Sequence, residues 1–252
     1  MKSLPLTFFC LAVLCLSACK NSARNDAALV AVASNFRSTF DKLETAFEAE
    51  TDFDVTQVSG STGSIYTKIL NGAPYHIFLA ADQSRPHKLE QQGLASARFT
   101  YAEGALVLWS KTDDISTLFV FDTLADPDVK PIAIANPALA PYGAAAMQTF
   151  NSLNISPRDR LVIGENVGQA FALVQSGNAA AGFVAKSDAQ RFPSGHYAVI
   201  DPALYAPIKQ DAVMLKKGER REAAKAFYQF LKSPRAAAII AADGYQRGAV
   251  TR

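Results

Sequence analysis

Apolar runs alternate with amphipathic stretches along most of this chain. Residues 29–33 (LVAVA) are uniformly apolar, and Ser34 and Asn35 follow them. Apolar residues then recur every three or four positions, at Phe36, Phe40, Leu43 and Phe47. The pattern predicts a buried strand, a polar corner and an amphipathic helix, in that order.

The same alternation continues to the end of the chain, and it predicts an α/β fold with mostly parallel sheets. In such sheets, ligands bind at the carboxyl ends of strands, where helices begin. Strands are predicted at 53–58, 76–81, 105–110, 131–135, 180–185, 197–200 and 211–215. Helices are predicted near 65–70 and at 86–92, 142–153, 166–175, 219–231 and 234–242.

The order of these elements indicates two lobes. A complete βαβαβ run precedes residue 105, the middle of the chain has its own strand–helix alternation, and a strand and two helices follow it. We expect the last strand and helices to return to the first lobe. The predicted first lobe is therefore 29–104 with 209–252, and the second is 105–208.

The N-terminus predicts export. Lys2 precedes a mostly apolar run at residues 4–16, which is too short to span a membrane. The run ends in Leu-Ser-Ala-Cys at 16–19, which resembles the lipobox of bacterial lipoproteins. The alternative is a plain secretory signal, and both interpretations export the protein.

The lipobox resemblance implies cleavage before Cys19 and attachment of lipid to that residue. Residues 1–18 would then be a lipoprotein signal peptide, and residues 19–28 a lipid-anchored, flexible tether. Lys20, rather than an aspartate, follows the cysteine. In Gram-negative lipoproteins this implies the inner face of the outer membrane, with the inner membrane as the alternative.

Composition narrows the chemistry of the mature domain. All three cysteines, Cys10, Cys15 and Cys19, lie in or beside the predicted signal, so no disulfide is expected in the fold. Without residues 1–18 the chain has 24 basic and 23 acidic residues. This balance argues against nucleic acid as a partner, because proteins that bind it concentrate basic charge.

Sequence signatures of enzymes are missing. The chain contains no G-x-G-x-x-G, Walker, H-E-x-x-H or G-x-S-x-G motif. His76, His87 and His196 are far apart and have no metal-ligand spacing. We therefore expect neither an enzyme, nor a cofactor, nor directly coordinated metal.

Four polar corners stand where predicted helices begin: Ser34-Asn35, SGSTGS at 59–64, Tyr142-Gly143, and the segment 165–167 (ENV). Singly, each is typical of a turn or helix cap. Helix N-termini also present free N–H groups and partial positive charge. Four such corners, two in each predicted lobe, favour a site where neutral donors hold a small tetrahedral anion.

Several segments resemble the periplasmic molybdate-binding proteins of ABC importers. They include VAVASNF, NGAPYHIFLAADQ, PYGAAA and ENVGQA, in this order, and the resemblance runs from about Leu29 to the C-terminus. It implies a type II periplasmic binding protein. In that fold two α/β lobes are joined by a two-strand hinge, and the oxyanion is buried in the cleft between them.

The resemblance also implies the ligand positions. Hydroxyl and amide groups would come from the first two corners, and backbone N–H groups from the last two, so that the Tyr142 side chain would matter little. Another branch of the family has a tyrosine donor at the position of Ala185, and Asn35 is expected to replace it. Whether Ser61 or Thr62 supplies the second hydroxyl is left open. The implied set is Ser34, Asn35, Ser61, Thr62, Tyr142 and Val167.

Molybdate and tungstate are the ligands that the resemblance implies. A proton-free dianion can have all its oxygens paired with donors. Hydrogen phosphate would instead place its proton against a donor, and this mismatch costs roughly 1–3 kcal/mol of binding free energy. Sulfate is also proton-free and stays an alternative ligand.

The implied partner is the permease of a molybdate ABC importer. We expect a periplasmic monomer that touches the membrane only through its N-terminal lipid. An enzyme on the same scaffold and a sensor subunit at the membrane are the alternatives from other functional classes.

Overall fold

The computed structural model describes residues 26–112, 120–129 and 131–247. The predicted signal peptide, Cys19 and most of the predicted tether lie outside the described residues. Within the described ranges, no helix has both the length and the apolar character needed to cross a membrane.

Strands and helices alternate through the described residues, as predicted. The strands are β1 (Ala27–Ala33), β2 (Asp54–Gly60), β3 (Ile77–Leu79), β4 (Ala95–Gly104), β5 (Leu106–Ser110), β6 (Ile132–Ala135), β7 (Leu161–Gly164), β8 (Ala181–Ala185), β9 (His196–Val199), β10 (Ile208–Leu215) and β11 (Gln246–Arg247). The helices are α1 (Arg37–Glu48), α2 (Thr62–Leu70), α3 (Ser84–Gln91), α4 (Val120–Ala125), α5 (Pro141–Ser152), α6 (Val167–Gln175), α7 (Lys186–Gln190), α8 (Glu222–Phe230) and α9 (Pro234–Ala242).

The strands form two sheets, one for each lobe. A six-stranded sheet has the order β11-β4-β10-β3-β1-β2, and a five-stranded sheet has the order β7-β6-β8-β5-β9. The chain passes between the sheets twice, from β4 to β5 through Ala105 and again between β9 and β10. Two α/β lobes joined by two chain crossings agree with the predicted fold class.

The expectation of mostly parallel sheets is wrong. β1 pairs in parallel with β2 and β3, and β6 with β7 and β8. The remaining pairs are antiparallel: β10 with β3 and β4, β11 with β4, and β5 with β8 and β9. The antiparallel strands include those that lead into and out of the crossings, whereas the parallel strands carry the helices that follow them.

The start of the first strand also differs from the prediction. β1 begins at Ala27, inside the segment predicted as a tether. Ala28 is fully buried and pairs with Val55, while Asp26 accepts a hydrogen bond from the Ala223 N–H at 3.0 Å. The small size of the two alanines fits a close-packed strand as well as it fits a linker.

Hydrophobic cores hold each lobe. One face of the six-stranded sheet packs against aromatic residues of α1 and α8, where the rings of Phe47 and Phe227 lie 5.2 Å apart. The second lobe packs around Trp109, which stacks on Phe171 at 4.4 Å. These cores fix the carboxyl ends of the parallel strands, where the polar corners lie.

Candidate functional site

In the first lobe, two polar corners leave neighbouring strands at one edge of the sheet. Ala33 at the end of β1 pairs with Gly60 at the end of β2 in parallel register. Ser34 and Ser61, the residues that follow, therefore emerge side by side. The β3 end lies next to them, because Val32 pairs with Leu79.

The second lobe repeats this arrangement. Ala135 of β6 pairs in parallel with Gly164 of β7, and helices α5 and α6 begin beyond these two ends. Tyr142 is the second residue of α5, and Val167 is the first of α6. The N–H groups of the first helical residues have no acceptor within the helix, so both are available to an anion.

The two edges face each other across the lobes. The Gly168 N–H donates to Ser34 Oγ at 3.5 Å. The Gly63 N–H at the start of α2 donates to the carbonyl oxygen of Leu139 at 2.8 Å. All four predicted corners therefore meet at the boundary between the lobes.

The predicted site is enclosed rather than open. Asn35, Ser61, Thr62, Tyr142 and Val167 are each at most 2% exposed. Only the sixth member of the predicted set, Ser34, lines a cleft between the lobes, which has a volume of about 500 Å³. A bound anion would thus be shielded from water. Hydrogen bonds to its charge would be stronger in this buried environment than in water.

Asn35 is held inside a hydrogen-bond network. Its Nδ2 donates to Gln210 Oε1 and to the Tyr245 hydroxyl, both at 3.0 Å. Its carbonyl oxygen accepts from the Tyr245 hydroxyl at 2.7 Å and from Ser187 Oγ, in the second lobe, at 3.3 Å. Sequence reasoning missed Gln210, Tyr245 and Ser187, because no local motif marks them.

Ser61 and Thr62 have different roles in the structure. Ser61 is the N-cap of α2: its Oγ accepts from the Ser64 N–H at 3.2 Å and donates to Ser64 Oγ at 2.9 Å. Thr62 Oγ1 accepts from the Ala81 N–H at 3.1 Å, which leaves its own proton to be donated elsewhere.

The Tyr142 side chain does more than the sequence predicted. It is 2% exposed and packs in the core of the second lobe, and burial raises the pKa of its hydroxyl well above the usual value. A large-to-small change such as Tyr142→Ala would leave a core cavity. For an aromatic residue this lowers the free energy of unfolding by about 3–5 kcal/mol. This cost concerns stability, whereas the expectation that the side chain matters little concerns anion binding and stays a prediction.

Charged groups line the same interlobe cleft beside Ser34. They are Arg37, Arg191 and Asp188. Burial raises the pKa of the Asp188 carboxyl to about 6, although its ion pair with Arg191 acts in the opposite direction. The raised pKa reduces the negative charge near the site in mildly acidic solution.

Among the described residues, no cluster of three or more His, Cys, Asp or Glu side chains could hold a metal ion.

Comparisons with known proteins agree with this geometry. A family model described as bacterial extracellular solute-binding protein matches residues 28–246. The molybdate-binding protein ModA of Azotobacter vinelandii is 42% identical over 227 residues, which cover 86% of this chain and 88% of that protein. ModA of Rhodobacter capsulatus is 40% identical over 225 residues, covering 86% of this chain and 87% of that protein.

A solved structure shows the same likeness. The Azotobacter vinelandii periplasmic molybdate-binding protein superposes with a TM-score of 0.80 at 38% sequence identity. The superposition covers 87% of this chain and 98% of that one.

Proposed function

Because this chain belongs to the family of bacterial extracellular solute-binding proteins, we propose that it captures molybdate, and likewise tungstate, between its lobes. The observation that carries the proposal is the meeting of four helix starts from two lobes at one buried place. The relatives' names supply the chemical identity of the anion. They are named as binding proteins, and we propose binding rather than catalysis here.

The proposed ligands are the six predicted positions. Ser34, Asn35 and Thr62 donate from side chains, with Ser61 as the alternative hydroxyl. Tyr142 and Val167 donate their backbone N–H groups. Support comes from the parallel register at both sheet edges, which aligns these positions, and from the helix starts, which favour negative charge.

The proposed lobes are the predicted ones, 29–104 with 209–252 and 105–208, and the first is extended to Ala27, where β1 begins. The change of sheet between β4 and β5, and between β9 and β10, supports these limits. Closure of one lobe on the other would be a hinge motion at the two crossings. Contacts such as that between Gly63 and Leu139 would form as the lobes close on the anion.

The proposed partner is the permease of an ABC importer, to which a periplasmic monomer delivers the anion. One relative of known structure is named periplasmic. Cleavage before Cys19 and lipidation of that residue would anchor the protein at the outer membrane, or at the inner membrane in the alternative case. The lipobox-like segment at 16–19 supports the anchor.

Calorimetric titration of the purified protein with four anions tests the ligand. We expect one-to-one binding of molybdate and tungstate. Sulfate, which differs from them in size, should bind more weakly. Hydrogen phosphate should bind more weakly than sulfate, because its proton would face a donor. This mismatch costs about 1–3 kcal/mol of binding free energy. Equal affinity for phosphate, or no binding of molybdate, would contradict the proposal.

A pair of serines provides the control. Ser34→Ala should weaken molybdate binding by about 1.5–3 kcal/mol, as expected for a hydrogen bond to a charged group. Ser38→Ala changes a half-buried serine that lines the same cleft but lies outside the proposed set. It should leave the affinity unchanged, and equal effects of the two changes would argue against the assigned position.

A further inference from the structure

Three buried polar atoms near the crossing between the lobes lack a hydrogen-bond partner in the described part of the chain. They are Oδ1 of Asn35, Nε2 of Gln210 and the hydroxyl of Tyr142. None of these residues is more than 2% exposed. Since buried polar groups are normally paired, three in one region require a physical reason.

The three atoms belong to one cluster. Nδ2 of Asn35 donates to Oε1 of Gln210 at 3.0 Å, so the two amides face each other. A β-carbon on Gly104 would lie 2.8 Å from Nε2 of Gln210 and 2.0 Å from the Tyr142 hydroxyl. Both unpaired groups therefore converge on the glycine at which β4 leaves the first sheet, and only a residue without a side chain fits there.

A half-turn of both amide groups would let the two amides pair in the opposite sense. Oδ1 of Asn35 would then accept from Nε2 of Gln210. The amide has nearly the same shape in both orientations, so the turn requires no repacking.

The neighbouring hydroxyl groups accommodate the turned amides. The Tyr101 hydroxyl lies 3.1 Å from both Gln210 Oε1 and the carbonyl oxygen of Ala80. It can donate to Ala80 while it accepts from the turned Gln210. The Tyr245 hydroxyl can donate to Oδ1 of Asn35 in place of the Asn35 carbonyl oxygen, to which it now donates at 2.7 Å. Ser187 Oγ continues to donate to that carbonyl oxygen at 3.3 Å.

The turn also frees a donor. Nδ2 of Asn35 would occupy the position that the unpaired Oδ1 holds now, and a bound oxyanion would accept its hydrogen bond. We propose that Gln210 is a positioning residue, which holds the Asn35 amide with its nitrogen toward the anion. The inference rests on the proposed function, in which Asn35 is an anion donor.

Glutamine suits this position because it accepts and donates at once. Leucine at position 210 would be similar in size but could do neither, so the Asn35 amide would lose its orientation. Gln210→Leu is therefore expected to raise the dissociation constant for molybdate about tenfold, the loss of roughly one hydrogen bond.

A double-mutant cycle separates positioning from an independent effect. Dissociation constants for molybdate would be measured for the full protein and for Asn35→Ala, Gln210→Leu and the double variant. We expect the double variant to bind no more weakly than Asn35→Ala alone, because Gln210 acts only through Asn35. Losses that add, or an unchanged affinity of Gln210→Leu beside a weakened Asn35→Ala, would overturn the inference and leave the proposed function standing.

Gln83→Leu is the matched control. Gln83 Nε2 donates to Thr100 Oγ1 and Asp211 Oδ1, at 3.0 and 3.1 Å, and not to Asn35. This variant should keep the wild-type affinity. Asn35→Ala with wild-type affinity would overturn the inference and reduce Asn35 to a packing role, and a wild-type protein that does not bind molybdate would overturn the proposed function as well.

A second measurement does not depend on the folding of a variant. Side-chain ¹⁵N–¹H resonances of Asn35 and Gln210 would be recorded in the wild-type protein before and after addition of molybdate. Both amides exchange their hydrogen-bond partners in the proposed turn, so both sets of resonances should shift. A shift of Asn35 alone, or of neither residue, would contradict the coupled turn.

Discussion

At the scale of single residues, the two hydroxyl groups of the second corner differ in whether they have a proton free to donate to an anion. Ser61 Oγ donates to Ser64 Oγ at 2.9 Å and caps α2. Thr62 Oγ1 accepts from the Ala81 N–H at 3.1 Å and has a proton left to donate. The structure therefore favours Thr62 as the hydroxyl that faces an anion and Ser61 as the helix cap.

Ser61→Ala and Thr62→Val should separate these roles. Loss of the cap in Ser61→Ala should lower the free energy of unfolding by about 1 kcal/mol, with little change in molybdate affinity. Thr62→Val should weaken binding by about 1.5–3 kcal/mol, because a hydrogen bond to a charged group is lost. Denaturant unfolding and calorimetry measure the two effects, and the reverse pattern would assign the ligand hydroxyl to Ser61.

Some of these site residues can be predicted from the sequence, and others cannot. Ser34 and Asn35 stand between an apolar strand and an amphipathic helix, so their place at a strand end is visible in the pattern. Gln210 lies within a strand, 175 positions from Asn35, and nothing local indicates which side chain it meets. A contact between residues so far apart in sequence can be identified only from the folded structure.

At the scale of elements, most strands were predicted from their apolar pattern, whereas β4, β7 and β11 were not predicted. β7 (LVIG) is apolar but only four residues long. The predicted βαβαβ run corresponds to β1, α1, β2, α2 and β3. β4 (ASARFTYAEG) was missed, because half-buried and exposed positions dominate its first part. Since β4 pairs antiparallel with β10, its omission also led to the wrong expectation of mostly parallel sheets.

The start of α2 is the element most directly tied to closure. A β-carbon on Gly63 would lie 3.0 Å from both Cα and the carbonyl oxygen of Leu139 in the other lobe. Gly63→Val should therefore hold the lobes apart. Because apparent affinity falls with the population of the binding-competent form, we expect molybdate to bind roughly tenfold more weakly or worse, by calorimetry.

Thr67→Val is the matched control, since Thr67 lies on the exposed face of the same helix. It should retain the wild-type affinity. Small-angle X-ray scattering adds a direct test, because molybdate should reduce the radius of gyration of Thr67→Val but not of Gly63→Val. A Gly63→Val protein that still contracts and binds normally would show that this contact is not part of closure.

At the scale of the whole molecule, two sheet edges face each other across the lobes. Hydrogen bonds between the lobes join Ser34 to Gly168, Gly63 to Leu139, and Arg85 to the carbonyl oxygen of Ala138 at 3.1 Å. Sequence patterns place the four corners on two lobes, but the relative position of the lobes and the size of the space between them come only from the structure.

The most direct test of the central claim is a crystal structure with molybdate, with data collected at the molybdenum absorption edge. We expect one anomalous peak per molecule, enclosed where Ser34, Asn35 and Thr62 face the N–H groups of Tyr142 and Val167. A peak only in the cleft beside Arg37 and Arg191, or no ordered peak, would contradict the claim that the four corners form one anion site.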